Sequence, residues 1–315
     1  MKCKTSHILS GLLVCALSSA LRGEEGGSGH YLPGSMSSFL DAVPPKETFI
    51  VRYNLLYYEG VRDIKSLPLP IAGLDAAGVN ASSWANGLTF LWRPSVDLGS
   101  DRLSYALSAT IPVVSMDVSA QVGPINRSDH LDALGDIVLM PLMFNYQFSE
   151  DFNASARLGI YAPTGDYEVG RLANTGKNFW TFEPTVGLMY FGKENGIEAS
   201  LFNGVSLNTE NEDTNYQSGA QFHVDGTLAQ HFPVFGGLAG VGLNGYWYEQ
   251  VVGDRGTGAF LGDFKGRTAG LGPVLSFAGK LGGLDMVTEL KWLHEMETKN
   301  RLQGDYVWLK VVLKF

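Results

Sequence analysis

Cysteine is nearly absent: the only two in 315 residues, Cys3 and Cys15, fall within the first twenty positions. A chain cut after that stretch has no thiol left, so disulfides, thiolate metal sites and cysteine nucleophiles are excluded. Charge is scarce as well. Asp, Glu, Lys and Arg make up 17 % of the chain, against about 25 % in an ordinary soluble domain. The net charge of −9 leaves no basic stripe able to replace phosphate counterions, which removes nucleic acid as a partner. No long apolar run is present in the mature chain, and the mean hydropathy is +0.02. What the chain does have is 39 glycines and 11 % aromatic residues. That balance suits strands alternating between a lipid face and a wet face, whose average hides the membrane signal from a helix-length window.

Lys2 and Lys4 precede an apolar run from Ile8 to Leu17 and small residues at Ser18 and Ala20. This is the layout of a secretory signal peptide over residues 1–20, cleaved after Ala20. Leu12, Leu13 and Val14 before Cys15 are too bulky for a lipoprotein cleavage box. Residues 21–47 are rich in Gly, Ser and Pro and lack periodicity. They read as an irregular lead-in, either at a barrel mouth or as a passive periplasmic tail.

From residue 48 to the end, period-two patterns recur at intervals of one strand plus one turn. The last is typical: Val307, Leu309, Val311, Leu313 and Phe315 share one face and Tyr306, Trp308, Lys310 and Lys314 the other, with Val312 alone out of phase. Twelve such segments are predicted: 48–58, 83–92, 102–114, 135–148, 152–161, 178–191, 196–207, 216–232, 238–250, 266–277, 284–297 and 304–315. Alternate joins are short (149–151, 192–195, 233–235, 278–283) and the others long (59–82, 115–134, 163–177, 208–215, 251–265). The expected fold is therefore all-β: one antiparallel transmembrane β-barrel of about twelve strands over residues 48–315, embedded in outer-membrane lipid with both termini periplasmic. The segment 135–148 is apolar on both faces, so its facing stays open.

A charged side chain tolerates the lumen but not the lipid midplane. Arg52, Arg157, Glu183, Glu198, His223, Asp225, Glu289, Lys291 and Lys310 are accordingly expected to line the interior, with charges that largely offset one another. Trp84, Trp92, Tyr105, Tyr161, Trp180, Tyr190, Trp247 and Trp292 fall near strand ends, as interfacial girdles require. If the face carrying Val138, Met140, Leu142 and Phe144 is the inner one, it offers apolar footholds to a solute.

A terminal Phe preceded by alternating apolar residues resembles the C-terminal signal of bacterial outer-membrane barrels, which implies that Phe315 is read by the barrel-assembly machinery. A second resemblance covers nearly the whole mature chain. Tyr161-Ala162-Pro163-Thr164-Gly165-Asp166-Tyr167 continues to Arg171, and Asn178-Phe179-Trp180-Thr181-Phe182-Glu183-Pro184 follows. These, with Gly29-His30-Tyr31-Leu32-Pro33-Gly34, Gly135-Asp136-Ile137, Pro141-Leu142 and Lys291-Trp292-Leu293, resemble the outer-membrane family described as proteins involved in the meta-pathway of phenol degradation. The resemblance implies passage of hydrophobic or aromatic small molecules. Within the loop, Pro163 fixes φ and Gly165 permits a bend, so Asp166 and Arg171 are placed to pair and fold the loop over the pore; a solvated turn with exposed charges is the alternative.

Two other functions compete. An outer-membrane hydrolase would need a nucleophile held on a base, for which His223, Asp225 and His231 with Ser200 or Ser206 are the candidates. A structural or adhesive barrel would use its long loops to bind a partner. No metal or cofactor is expected: His30, His130 and His294 stand apart, and His223 and His231 are too far along one strand to share an ion.

Overall fold

The computed structural model describes residues 24–259 and 265–315, so the expected signal segment and its cleavage site after Ala20 lie outside the described residues. Alternating β-branched, aromatic and polar residues fit a pleated surface with two different faces. They form β1 (Thr48–Val61), β2 (Leu69–Ile71), β3 (Leu74–Arg93), β4 (Leu103–Val122), β5 (Ile125–Leu134), β6 (Ile137–Gln147) and β7 (Phe152–Ala162). The second half comprises β8 (Thr181–Phe191), β9 (Ile197–Asn208), β10 (Gln221–Val234), β11 (Gly237–Gln250), β12 (Arg267–Leu281), β13 (Leu284–Lys299) and β14 (Gln303–Lys314). No α-helix occurs among the described residues.

Every pairing is antiparallel. β1 pairs with β14 on one side and β3 on the other, β3 pairs with β4, and the later strands follow in order, so the sheet closes on itself and leaves the ring without a free edge. β6 pairs with the first part of β4 and β5 with the second, so the two share one place in the wall; β2 is a short flap on β3. The result is a closed ring of twelve strand positions. One end carries tight connections at 148–151, 192–196, 235–236 and 282–283, with 94–102 somewhat longer; the other carries 163–180, 209–220 and 251–266. We call these the turn end and the loop end.

Two predicted loops are largely strand. Leu74–Ser82 extends β3, and 115–134 is a hairpin in which β4 runs on to Val122 and β5 returns. Period two persists there, with Val118 and Ala120 inward, but the outer residues Asp117, Ser119 and His130 are polar. A search for apolar outer faces stops where the wall rises above the lipid. In the other direction, the strands predicted from 178 and 216 begin at Thr181 and Gln221, because Asn178 and Asn215 adopt positive φ in turns.

The lead-in is not a tail. Glu24 lies under the loop end, and the segment runs down through the lumen to Thr48 at the turn end, burying His30, Tyr31, Met36, Ser37, Ser38, Asp41 and Val43. Near the turn end Val43, with Phe39 and Leu40, packs on Ile50, Leu91, Ala106, Met143, Val287 and Val312. This apolar cluster closes the lumen. It also accounts for Val312, the one residue out of phase in the last strand: the inward position at that level faces the seal.

Candidate functional site: a plugged lumen

Of the nine charged residues singled out on the strands, Arg157, Glu183, Glu198, His223, Asp225, Glu289, Lys291 and Lys310 are buried. Seven of the nine touch the lead-in, while Glu183 and Glu289 pair with side chains of the wall, and Arg52 alone of the nine borders the cavity. A buried charge must be paired and hydrogen-bonded to be tolerated, and the lead-in supplies most of the partners. On β10, Asp225 accepts from Tyr31 Oη at 2.7 Å and from the Gly34 amide at 2.8 Å, while the Tyr31 ring stacks on His223 with centroids 3.8 Å apart. His223 sits between Asp225 at 3.2 Å and Glu183 at 3.6 Å. On β13, Lys291 donates to Gly34 O at 2.7 Å and Ser37 Oγ at 2.6 Å and lies 2.8 Å from Glu289. On β14, Lys310 donates to Ser35 O at 2.7 Å and reaches Asp41 at 3.2 Å. Glu198 on β9 accepts from the Phe39 amide at 2.7 Å and pairs with His231 at 2.8 Å.

The lowest turn of the lead-in, Phe39–Asp41, centres on one carboxylate. Asp41 accepts from the amides of Ser37 and Ser38, at 2.9 and 3.3 Å, and pairs with Arg52 at 2.8 Å. Arg157 donates to the Asp41 carbonyl and to Ser155, and its guanidinium lies 5.2 Å from the Phe202 ring centre. Tyr161, expected in a girdle, is instead luminal: it is buried, stacks on His30 and donates to Glu183.

At the loop end the Pro163-to-Lys177 segment folds inward over the lead-in. Asp166 and Arg171 pair at 2.5 Å, and Arg171 also donates to Asn174. Thr164 Oγ1 accepts from the Ile137 amide at 2.9 Å. Gly165 lies so close to Gly176 that a Cβ there would come 2.6 Å from its Cα, so the backbone contact requires glycine on steric grounds. Asp136, at the break between β5 and β6, receives His30 of the lead-in at 2.8 Å and the amides of Gly165 and Lys177 at 2.8 and 2.7 Å. Tyr167 donates to Glu25 at 3.1 Å, and burial pushes the Glu25 carboxyl up. Glu24 pairs with Arg301 and accepts from Tyr248 Oη. The sequence carries no sign of these partnerships, because Glu24, Glu25 and His30, the partner of Asp136, lie in an aperiodic segment.

Between the lead-in and the wall formed by β1, β3, β4 and β6 remains a cavity of about 340 Å3. Its wall side is mostly small or apolar, including Leu56, Ala85, Val114, Met116, Val138 and Met140. The apolar set proposed on 135–148 is thus divided. A bulge between Leu139 and Leu142 resets the alternation of β6, so Val138 and Met140 face the cavity while Leu142 and Phe144 are exposed on the outer surface. Neither serine of the hydrolase alternative touches an imidazole: Ser206 Oγ donates to Glu183 at 2.7 Å and Ser200 Oγ to Glu198 at 2.9 Å. Among the described residues, no group of three His, Asp or Glu side chains is placed to hold a metal ion.

The family model described as "Putative MetA-pathway of phenol degradation" matches residues 68–311. Among solved structures, the chain resembles the COG4313 outer membrane channel from Pseudomonas putida F1, with a TM-score of 0.64 and 16 % identity over 90 % of this chain and 100 % of that one. A monoaromatic hydrocarbon channel, the TodX deltaS2S3 mutant, aligns with a TM-score of 0.41 and 11 % identity over 89 % of this chain and 92 % of that one. No curated protein matches the sequence. The fold is that of a bacterial outer-membrane barrel, which sets the turn end in the periplasm and the loop end outside.

Proposed function

The chain belongs to the putative meta-pathway phenol-degradation family, and from that premise we propose that it is an outer-membrane channel for passive passage of small hydrophobic or aromatic molecules. The observation that carries this reading is the cavity, bounded by apolar side chains of β1, β4 and β6 within a lumen most of whose charged groups are paired with the lead-in or with one another. A nonpolar solute gains nothing from a water-filled, charge-lined pore and needs such contacts. Both hydroxyls weighed for a hydrolase donate to carboxylates, which favours the channel reading over a hydrolytic one.

Met140→Asp introduces a charge into this lining without touching the lipid face. It is expected to slow uptake of a small aromatic into proteoliposomes several-fold while the protein still migrates as a heat-modifiable folded barrel. Unchanged uptake would refute the assigned route.

Phe315 we assign to recognition by the assembly machinery. Its amide donates to Phe49 O at 2.9 Å, holding the end of β14 on β1, while its ring remains exposed. Replacing Phe315 with Asp should lower the amount of folded barrel in the outer membrane and leave in vitro refolding in detergent intact. Equal amounts in cells would remove the assignment.

A further inference from the structure

The cavity has a floor of a different character from its walls. Register places Arg52 opposite Thr89, Thr89 opposite Thr110 and Thr110 opposite Val138, so these four side chains form one inward row. Thr89 and Thr110 share a hydrogen bond at 2.7 Å, and Asn54 donates to Thr89 at 3.1 Å. Below the row lies the apolar seal, so a solute descending through the cavity comes to rest here.

The charge at this floor does not balance. Around the Phe39–Asp41 turn stand four cations, Arg52, Arg157, Lys291 and Lys310, against three carboxylates, Asp41, Glu289 and Glu198, an excess of one positive charge. Of the four cations only Arg52 borders the cavity, and its Nε is buried without a hydrogen-bond partner among the described residues. Asp41 does not depend on Arg52 alone: Lys310 and the amides of Ser37 and Ser38 also serve it. The guanidinium can therefore turn part of its fork to a second anion and leave the first satisfied.

We infer that Arg52, with the Thr89 and Thr110 hydroxyls, receives the carboxylate of an aromatic monoanion whose ring lies above it against Leu56, Val114, Met116 and Val138. The inference rests on the channel reading and narrows it from hydrophobic solutes in general to amphiphilic ones with an anionic end. An Arg–carboxylate contact is among the stronger hydrogen-bonded pairs, and a net positive site with low-dielectric walls raises the local concentration of anions. At the upper end of the cavity the acids Glu25 and Asp136 are matched by the cations Lys177 and Arg301, and the exposed acids of the outer loops are screened within about 8–10 Å.

The test is equilibrium binding to the purified full-length mature barrel in detergent, with benzoate, its uncharged analogue benzyl alcohol, and acetate, which carries the charge without the ring. Benzoate should bind at least about tenfold more tightly than benzyl alcohol, and acetate should not compete at equal concentration. Arg52→Gln should abolish the preference and leave benzyl alcohol within about twofold of its original affinity, while Arg52→Lys keeps part of it. Thr89→Val, which leaves every charge in place, should weaken benzoate alone. Heat-modifiability confirms that each variant is folded. Equal binding of benzoate and benzyl alcohol, or a loss that Arg52→Gln imposes on both alike, would overturn the anion site and leave the channel reading standing. Binding of neither ring compound to the folded wild-type barrel would overturn both.

Discussion

Asp136 shows how much one side chain can tie together. Its carboxylate accepts from the lead-in through His30, and from the outer loop through the amides of Gly165 and Lys177, at the point where the wall passes from β5 to β6. Leaving a buried donor unpaired costs about 1–3 kcal/mol, so Asp136→Ala strands three at once. The expected result is a loop that releases from the lumen. Protease cleavage within 163–177 should rise markedly in intact cells, and the urea midpoint of the refolded barrel should fall. Equal protection in the variant would show that the loop is held by other contacts. The sequence displays Asp136 only as part of a Gly-Asp-Ile motif, without any sign of its partners, since they lie 29 to 106 positions away and none belongs to a periodic element.

At the scale of elements, what could be read from the chain was whatever repeats every two residues. The inward set on β10, with Gln221, His223, Asp225, Thr227 and His231 buried while Leu228 and Phe232 lie outside, follows directly from alternation. Alternation fails at the bulges, where two residues oppose one and every later side chain changes face. On β6 the extra residue falls at Met140-Pro141, between the outward Leu139 and Leu142, and no pattern in an all-apolar stretch announces it. Pro141 has a structural use there: it lacks the amide a regular ladder would require, and its carbonyl accepts from Tyr105 at 2.7 Å. The same limit applies to β4 and β5 above the lipid, whose polar outer residues imitate a loop.

For the whole molecule, the lead-in and the barrel are two parts of one core. The twelve-position ring was legible because closure follows from strands that need partners on both sides in lipid, but the plug was not, because residues 24–47 carry no period. Its contacts are nonetheless among the most buried in the molecule, including Lys291, Lys310, Asp225 and His223. Removing residues 24–43 should therefore have two effects together. Single-channel conductance should increase severalfold as the apolar seal at Val43 disappears, and the temperature at which the barrel loses heat-modifiability should drop, since the wall charges lose their partners. A deletion that conducts no more than the intact protein would mean that the constriction lies elsewhere.

The direction of the lead-in has a consequence for how the barrel is made. Glu24 is held at the outer mouth by Arg301 and Tyr248, yet the same segment leaves the lumen at the opposite end to become β1, whose other neighbour is the last strand, β14. Threading the segment through a finished cylinder would drag its polar groups past the apolar ring of Ile50, Leu91 and Val312. The economical order is the reverse: the early strands gather around a lead-in already lying along their inner face, and β14 zips onto β1 last, enclosing it as staves are hooped around a core.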